Sequence, residues 1–298
     1  MSQDDVLIIG GSFAGLAAAL QLGRARRAVT VLDTGQNRNR FAGHSHGLLG
    51  HDHRPPAAIL ADARTQLQRY PSVRLVSARA EAISGASDDF VVTTSDGAAL
   101  RARRLLLSYG VADQMPAIPG FADCWGRSIV SCPFCDGFEV ADRHWGLLWS
   151  GEHSAHAAML YGLWTGHRTV FANGHDISEA VRADLAARQV DLIEGNVIAI
   201  QHVDGQLSQI VLDTGASVSV DVLFAHPRSA PSAGLHAALG LAMVDHPLGQ
   251  VIKVDDRRET SLAGIYAAGD LTSPMASVTL ASSGGAMAGI FALQSMLV

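Results

Sequence analysis

Residues 6–20 read VLIIGGSFAGLAAAL, and residues 28–33, a short way further on, read AVTVLD. The apolar run before the glycines predicts a short buried strand, and the small apolar residues after them predict a helix. AVTVLD has the composition of a second buried strand. A strand, a glycine turn, a helix and a strand in this order predict a βαβ unit, and therefore an α/β fold with a parallel sheet.

The glycine turn has the spacing of the dinucleotide-binding fingerprint G-x-G-x-x-G. A serine takes the middle position, and its small side chain still permits close approach of the backbone to a ligand. An aspartate ends the second strand, where a carboxylate can accept hydrogen bonds from ribose hydroxyls. The sequence therefore predicts that a pyrophosphate binds at the helix N-terminus. The residues expected to hold the dinucleotide are Gly10, Ser12, Phe13, Ala14, Gly15 and Asp33.

The far end of the chain carries another pattern of strand, glycine and helix. Residues 260–270 read TSLAGIYAAGD, and residues 278–293 read VTLASSGGAMAGIFAL. This pattern resembles the C-terminal FAD motif of flavoproteins that have two dinucleotide-binding domains. The resemblance implies that Asp270, after Gly269, binds a ribityl hydroxyl and that the helix beginning near Val278 points its N-terminus at the flavin. FAD, rather than NAD, is therefore the expected cofactor.

The middle of the chain repeats the opening unit at a constant offset, which predicts a second Rossmann-like domain. Residues 143–174 read RHWGLLWSGEHSAHAAMLYGLWTGHRTVFANG. A bulky tryptophan takes the place of the first glycine, and an alanine takes the place of the ribose-binding aspartate. Asn173 and Gly174 follow it, where an arginine pair would bind an NADP phosphate. We therefore expect a defective nicotinamide site. The matched positions are Trp149 with Gly10, Gly151 with Ser12, Ser154 with Gly15 and Ala172 with Asp33.

Residues 131–137 read SCPFCDG, and this spacing of Cys132 and Cys135 allows a zinc site, a structural bridge or a redox dithiol. Zinc requires two further ligands at suitable spacing, and the chain has no second pair of cysteines. We therefore favour a redox pair beside a flavin and assign no metal site. The remaining cysteine, Cys124, is interpreted as a buried thiol.

The order of these motifs resembles that of the low-molecular-weight thioredoxin reductases, and the likeness covers nearly the whole chain. The resemblance implies that Cys135 faces the flavin and that Cys132 attacks the external disulfide or thiol. It also implies that Asp136 exchanges the proton, because the thiolate is the working nucleophile. A homodimer is implied by the same resemblance.

Two departures from these reductases point to another branch of the family. The nicotinamide site is degraded, and residues 38–56, RNRFAGHSHGLLGHDHRPP, are unlike a reductase. The chain is similar here to flavin-dependent dithiol oxidases, which close disulfides in small natural products without NADPH and return electrons to oxygen. That branch often has a histidine where Asp136 stands.

The histidine-rich stretch is expected to pass near the FAD. Imidazole titrates near neutral pH, so a histidine here could deprotonate a thiol or assist oxygen reduction. His46 and His51 are the candidates, and a metal bound by the two H-x-H pairs stays an alternative. Arg38, Asn39 and Arg40 are expected to help hold the phosphates. Gly110 is a further expected FAD contact.

The composition of the chain and the order of its motifs predict its binding partners, its location and its domain bounds. The chain has 298 residues, a net charge of −6 and no long basic run, so we expect no binding to nucleic acid or to a membrane. The acidic N-terminus predicts a cytoplasmic protein. We predict two Rossmann-like dinucleotide-binding domains of the three-layer ββα type. The FAD-binding domain is expected at 1–115 and 246–298, and the inserted NAD(P)H-binding-like domain with the cysteine pair at 116–245.

Three functions fit these features. The favoured one is oxidation of a small-molecule or peptide dithiol, with oxygen as the electron acceptor. The second is reduction of thioredoxin or another disulfide with electrons from NAD(P)H or ferredoxin. The third is a flavin-binding redox sensor without turnover.

Overall fold

The computed structural model describes residues 3–297. The described chain forms two compact units. The first contains residues 3–40, 48–112 and 229–297, and the second contains residues 41–47 and 113–228. No helix of the described chain combines the length and the apolar character that spanning a bilayer requires.

The strands are, in chain order, β1 (Asp4–Ile9), β2 (Val29–Asp33), β3 (Val73–Ser77), β4 (Ala80–Ala86), β5 (Asp89–Thr94), β6 (Ala99–Leu107), β7 (Val111–Asp113), β8 (Ile129–Val130), β9 (Trp145–Leu148), β10 (Arg168–Phe171), β11 (Asp191–Ile193), β12 (Val197–Val203), β13 (Gln206–Leu212), β14 (Ser217–Val218), β15 (Val222–Phe224), β16 (Ser229–Pro231), β17 (Met243–His246), β18 (Gly249–Ile252) and β19 (Ile265–Ala267).

The helices are, in chain order, α1 (Phe13–Arg24), α2 (Pro56–Leu67), α3 (Phe121–Cys124), α4 (Pro133–Asp136), α5 (His153–Leu160), α6 (Glu179–Ala187), α7 (Leu235–Ala238) and α8 (Val278–Gln294). Short 3₁₀ turns cover Arg38–Phe41, Tyr161–Leu163 and Gly269–Leu271.

The first unit is built on a seven-stranded sheet with the order β3-β2-β1-β6-β5-β4, and β19 also pairs with β6. β1 runs parallel to β2 and β6, as the predicted βαβ unit requires. The side chains of β1 alternate between two apolar cores, with Val6 and Ile8 on one face and Leu7 and Ile9 on the other. The sheet is therefore buried on both faces, which explains the continuous apolar run of its sequence.

The second unit has a parallel sheet with the order β11-β10-β9-β15-β8 and a small antiparallel sheet, β12-β13-β14. Trp145 and Leu147 of β9 pack into one core and Leu148 packs into the other, so this sheet is also covered on both faces. The repeat of strand, helix and strand in β9, α5 and β10 confirms the predicted second Rossmann-like fold.

The bounds of the two units differ from the expected domain bounds in two places. The chain returns to the first unit at Ser229, before the expected position near 246, because β16 pairs with β18. The four-stranded sheet that contains this pair has the order β17-β18-β16-β7. Residues 41–47 belong to the second unit, although the chain on both sides of them belongs to the first.

Candidate active site

Gly10 and Gly15 form the tight turn between β1 and α1. Gly10 has a φ of 112°, where L side chains are strained. A Cβ on Gly15 would overlap the carbonyl oxygen of Gly10, so α1 can begin this close to the strand only with glycine there. The Ser108 hydroxyl donates to the Gly10 carbonyl at 2.9 Å and ties the turn to β6. The backbone between β1 and α1 therefore forms the tight glycine turn that a dinucleotide phosphate site requires.

Ser12, Phe13 and Ala14 lie where the sequence predicts them, at the start of α1. Ser12 precedes the helix in an extended conformation, and within the described chain its side chain does not cap the helix. The first N–H groups of an α-helix have no partner inside the helix. They are thus suited to bind an anion at this end.

Asp33 ends β2 and holds its carboxylate in place through two neighbours. Its Oδ1 accepts a hydrogen bond from the backbone N–H of Gly35 at 3.0 Å. Its Oδ2 accepts one from Arg64 of α2 at 2.8 Å. An ionised carboxylate has about four lone-pair sites, so Asp33 can accept further hydrogen bonds from ribose hydroxyls.

The C-terminal motif lies at the same edge of the sheet as the glycine turn. Leu107 of β6 pairs with Ile9 of β1 and with Ala267 of β19, so β1, β6 and β19 end together. Asp270 follows β19 and forms an ion pair with Arg38 at 2.9 Å. Two motifs that are far apart in the sequence thus meet at the carboxyl ends of parallel strands, which is where α/β sheets bind ligands.

The remaining residues predicted to bind FAD also belong to the first unit. The side chain of Ser277 accepts from the N–H of Leu280 at 3.0 Å and so caps α8, which begins at Val278. Gly269 and Gly110 both have a φ of 74°. The side chains next to Arg38 are engaged locally: Asn39 accepts from Asn37 at 2.7 Å, and Arg40 donates to the Asn37 carbonyl at 3.0 Å. Phosphate binding by Arg38, Asn39 and Arg40 stays a prediction.

Cys132 and Cys135 are held together by the short helix α4 in the second unit. Cys132 precedes the helix, and Pro133 occupies its first position. The N–H groups of Cys135 and Asp136 both donate to the Cys132 carbonyl at 3.1 Å. Both cysteines are free thiols and half-buried. The turn therefore presents a reduced dithiol, with both side chains on one compact segment.

The two thiols differ in acidity because each responds to the other. A hydrogen bond with Cys135 lowers the pKa of Cys132 to about 7, although burial acts in the opposite direction. The pKa of Cys135 is raised by the same hydrogen bond, by burial and by the charges of Cys132 and Asp136. Cys132 is therefore the nucleophile near neutral pH, since the thiolate is the reactive form.

Asp136 can change its charge near neutral pH. Burial raises the pKa of its carboxyl to about 6, the charge of His46 acts against this shift, and the charge of Glu139 adds to it. An acid–base group works best when its pKa lies close to the pH of the reaction. The electrostatics of Asp136 therefore suit the proton-exchange role that the sequence predicts.

His46 lies in the second unit, against the end of α4. Its Nδ1 is 2.5 Å from the main-chain oxygen of Cys135, and its Nε2 is 3.4 Å from a carboxylate oxygen of Glu139. A carbonyl oxygen only accepts, so Nδ1 carries a proton and donates it. His46 thus holds α4 in place by donating to the main-chain oxygen of Cys135. It also faces Glu139, an acid that sequence reasoning missed.

His51, the other candidate histidine, lies in the first unit. Its Nδ1 is 3.0 Å from Arg54, and because arginine only donates, this nitrogen is the acceptor. Of the two candidates, the structure brings only His46 together with the cysteine pair in one unit. A catalytic role of either histidine stays a prediction.

We expect the rate of reduction by a dithiol to rise as the pH passes through about 6. Below that value the buried carboxyl of Asp136 is protonated and cannot accept a proton. Asp136→Asn should remove this rise and lower the rate at high pH by about 10²-fold, as for loss of a general base. Stopped-flow measurement of flavin bleaching against pH tests both effects.

The matched control is Glu139→Gln. The charge of Glu139 raises the pKa of Asp136, so its removal should move the rise to lower pH and keep the rate at high pH. A rise near pH 6 that persists in Asp136→Asn would show that another group titrates there.

The glycine turn of the second unit departs from that of the first in a way that opposes nucleotide binding. Trp149 is 3% exposed and belongs to the apolar core. The Ser154 hydroxyl accepts from the N–H of Ser150 at 3.1 Å and closes the turn on itself. Glu152 is exposed immediately before α5, where its negative charge would repel a pyrophosphate.

The segment after β10 uses its polar groups for hydrogen bonds within the second unit. Ala172 is fully buried, and the Asn173 side chain accepts from the N–H of Val197 at 3.1 Å. The N–H of Gly174 donates to the Gly195 carbonyl at 3.2 Å. None of these three residues can bind a ribose through a carboxylate or a 2′-phosphate through a guanidinium, in agreement with the sequence-based expectation.

Comparison with known proteins identifies the family. A family model described as pyridine nucleotide-disulphide oxidoreductase matches residues 4–153 and 165–285. The chain belongs to this family. It is an FAD-dependent disulfide oxidoreductase of the thioredoxin reductase-like type, and the expected cofactor, FAD, is confirmed. The glycine cradle, Asp33 and the Asp270 motif of the first unit fit that cofactor.

Individual members of the family match over nearly the whole chain. Thioredoxin reductase sirT of Leptosphaeria maculans is 32% identical over 302 residues, which cover 96% of this chain and 92% of the relative. Thioredoxin reductase tcpT of Claviceps purpurea (strain 20.1) is 32% identical and covers 98% and 94%. The crystal structure of an oxidoreductase from Agrobacterium tumefaciens has a TM-score of 0.94, 38% identity and 99% coverage of both chains.

Sequence reasoning missed two residues that contact the predicted site residues. Arg64 bonds Asp33, and Glu139 faces His46 and Asp136. Arginines and glutamates are common on surfaces, and no motif marks these two. Their partners become visible only once the fold is known.

Proposed function

We propose that the protein is a dithiol oxidase, which closes a disulfide in a small-molecule or peptide dithiol and passes the electrons through FAD to oxygen. The observation that carries this proposal is the second nucleotide turn. It contains a buried Trp149, an exposed Glu152 and no arginine clamp after β10. A family member that drew its electrons from NADPH would need that site.

The reaction begins with the oxidised Cys132–Cys135 pair. A substrate thiolate attacks Cys132 Sγ, a bond between the two sulfurs forms, the Cys132–Cys135 bond breaks, and Cys135 leaves with the electron pair. The second substrate thiol then attacks the substrate sulfur of the mixed disulfide and releases Cys132 as a thiolate. The substrate has lost two electrons and two protons, and the cysteine pair has gained them.

The cysteine pair must then return to the disulfide. The chemistry that a bound FAD would supply here is two-electron transfer from the dithiol to oxygen, which would be reduced to hydrogen peroxide. The residues that support this step in the second unit are Asp136, which accepts a proton beside Cys135, and His46, which holds the Cys135 backbone.

A second candidate is a disulfide reductase that takes electrons from NAD(P)H or ferredoxin and delivers them to thioredoxin or another disulfide. The names of the relatives favour it, since both are called thioredoxin reductase. The retained aspartate after the second cysteine favours it too, because the resemblance to the reductases places the proton-exchanging group there.

We expect the yellow protein, mixed without oxygen, to be bleached by dithiothreitol but not by NADPH or NADH. The physical reason is the damaged nucleotide turn of the second unit. Flavin absorbance in an anaerobic cuvette measures the reaction. Rapid stoichiometric bleaching by either nucleotide would favour the reductase and exclude the oxidase.

The same sample separates an enzyme from a redox sensor. Admission of air after bleaching should restore the flavin colour and yield hydrogen peroxide, through repeated cycles with fresh dithiol. A single reduction without reoxidation would favour the sensor.

The proposal also assigns the two units. The first would hold FAD, because it contains both dinucleotide motifs, and the second would present Cys132 to the substrate. A homodimer and a cytoplasmic location complete the proposal. Three cysteines are too few for a disulfide scaffold, which supports a cytoplasmic location.

A further inference from the structure

Arg64 of α2 bonds to both halves of the dinucleotide site in the first unit. Its Nη2 donates to the Oδ2 of Asp33, the expected ribose acceptor, at 2.8 Å. The same nitrogen makes a longer contact, 3.4 Å, with the carbonyl oxygen of Gly11. Gly11 belongs to the glycine turn that is expected to bind the diphosphate. One side chain therefore connects the ribose acid to the phosphate turn.

The carboxylate of Asp33 lies directly against that turn. A Cβ added to Gly11 would come within 2.6 Å of the Asp33 Cβ and within 2.9 Å of its Oδ2, which is closer than real Cβ atoms approach other atoms. Glycine serves where the backbone and another group must approach closely. Gly11 therefore allows the acid to lie beside the turn, although the spacing of the fingerprint assigns no role to this position.

This closeness creates an electrostatic conflict for a dinucleotide. The diphosphate of FAD is negative, and the start of α1 is where it is expected to bind. An unpaired carboxylate next to that position would repel it, and the repulsion grows where burial reduces screening by water. Only 26% of the Asp33 side chain is exposed. The charge of Asp33 therefore needs a partner if this turn is to hold a diphosphate.

The packing of α2 holds Arg64 in position to be that partner. Leu60 and Leu67 lie four residues before it and three residues after it, and both are buried in the core that β1 and α1 share. Residues with these spacings lie on the same side of a helix. Arg64 is accordingly 37% exposed, whereas its neighbours Thr65 and Gln66 belong to the exposed class. The fold therefore holds the arginine at the edge of the core, against Asp33.

The other acid at this edge of the sheet is paired in the same way. Asp270, which is expected to bind the ribityl chain, forms its ion pair with Arg38 at 2.9 Å. Each of the two carboxylates that the FAD motifs supply thus has a guanidinium beside it. This pairing lets acids that bind hydroxyl groups and a negative diphosphate occupy one site.

We propose that Arg64 is a positioning residue of the FAD site, which fixes the orientation of the Asp33 carboxylate and offsets its charge beside the diphosphate. The role requires no contact between Arg64 and FAD. It extends the cofactor site to a residue of α2 that no sequence motif marks. It is also independent of the direction of electron flow, so it holds for the oxidase and for the reductase.

Arg64→Met removes the positive charge and keeps much of the length of the side chain. The full-length protein, stripped of FAD, is titrated with FAD at about 0.02 M and at about 0.5 M KCl, and flavin fluorescence gives the dissociation constant. We expect binding to be about tenfold weaker than in the wild type at low salt. At high salt the difference should shrink to less than about threefold, because salt screens the unpaired charge of Asp33. Arg64→Lys, which keeps the charge, should stay within about threefold of the wild type throughout.

Asp33→Asn separates this charge effect from an effect of packing. In the Asp33→Asn background no carboxylate opposes the diphosphate, so the addition of Arg64→Met should weaken FAD binding by less than about twofold. A role of Arg64 in the packing of α2 alone would give the same tenfold loss with and without Asp33→Asn. The double variant decides even if Arg64→Met lowers the free energy of unfolding, because both backgrounds carry the same loss of packing.

Arg101→Met is the matched control. Arg101 of β6 forms an ion pair with Asp89 in the same unit, but it lies near the start of the strand, whereas the FAD motifs meet beyond its end at Leu107. FAD affinity should not change in this variant at either salt concentration. The proposal would be overturned if Arg64→Met caused no loss of affinity, a loss that salt does not reduce, or an equal loss in the Asp33→Asn background.

Discussion

Cys135→Ser should stop electron transfer from a dithiol to the flavin, lowering the anaerobic bleaching rate by about 10³-fold or more, as when a covalent participant is removed. Cys132 would still be able to attack an external disulfide, because it forms the mixed disulfide alone. Without Cys135 no internal disulfide can form, so a substrate dithiol has no disulfide to reduce and its two electrons cannot reach the flavin. With an external disulfide instead of a dithiol, the expected product is a stable mixed disulfide on Cys132, because no neighbouring thiol can release it.

The variant should stay yellow. Cys135 lies in the second unit, whereas the glycine cradle, Asp33 and the Asp270 motif all lie in the first. Cys124→Ala is the matched control, since Cys124 is fully buried and burial raises the pKa of its thiol. That variant should bleach at the wild-type rate. Turnover that survives in Cys135→Ser would mean that Cys135 is not the residue next to the flavin.

Gly15→Ala should weaken FAD binding by about 10- to 100-fold, which corresponds to overpacking of about 1–3 kcal/mol. The added Cβ would overlap the carbonyl oxygen of Gly10, a backbone atom that Ser108 holds in place. The strand and helix must therefore separate, and the phosphate cradle opens. The ratio of flavin to protein absorbance after gel filtration, and a titration with added FAD, measure the loss.

Gly234→Ala is the control for a methyl group added to the same unit. A Cβ there meets nothing within 4 Å, so FAD content should not change. The free energy of unfolding of both variants, measured with FAD removed, separates a cofactor effect from a folding effect. Full FAD content in Gly15→Ala would mean that the turn is not the phosphate site.

The fold was predictable because its decisive residues are consecutive in the sequence. β1, α1 and β2 fall on the apolar run, the small-residue segment and AVTVLD, and the repeat in the middle of the chain forms the same three elements. The position of β16 was not predictable, because Ser229–Pro231 is too short and too polar to indicate a strand. Its membership of the first unit depends on pairing with β18.

The residues of the candidate site were predictable where they belong to a local sequence motif. They were not predictable where only a contact between distant segments of the chain places them in the site. The cysteine pair and the glycine turn are local patterns with few alternatives. Arg38 meets Asp270 across 232 positions, and His46 meets Cys135 across 89. Such pairs depend on strand order and on the packing of a short loop.

Because Trp149 is buried, a single substitution cannot easily restore nucleotide binding to the second unit. Its indole fills the core between β9, α5 and β10, where its neighbours include the small residues Ala158 and Ala172. Truncation of a buried tryptophan costs about 3–5 kcal/mol. That is a large part of the total stability of about 5–15 kcal/mol that folded proteins typically have. Trp149→Gly would therefore restore the shape of the turn but lower the stability of the fold. A nicotinamide site could evolve or be designed here only after other side chains fill the space of the indole.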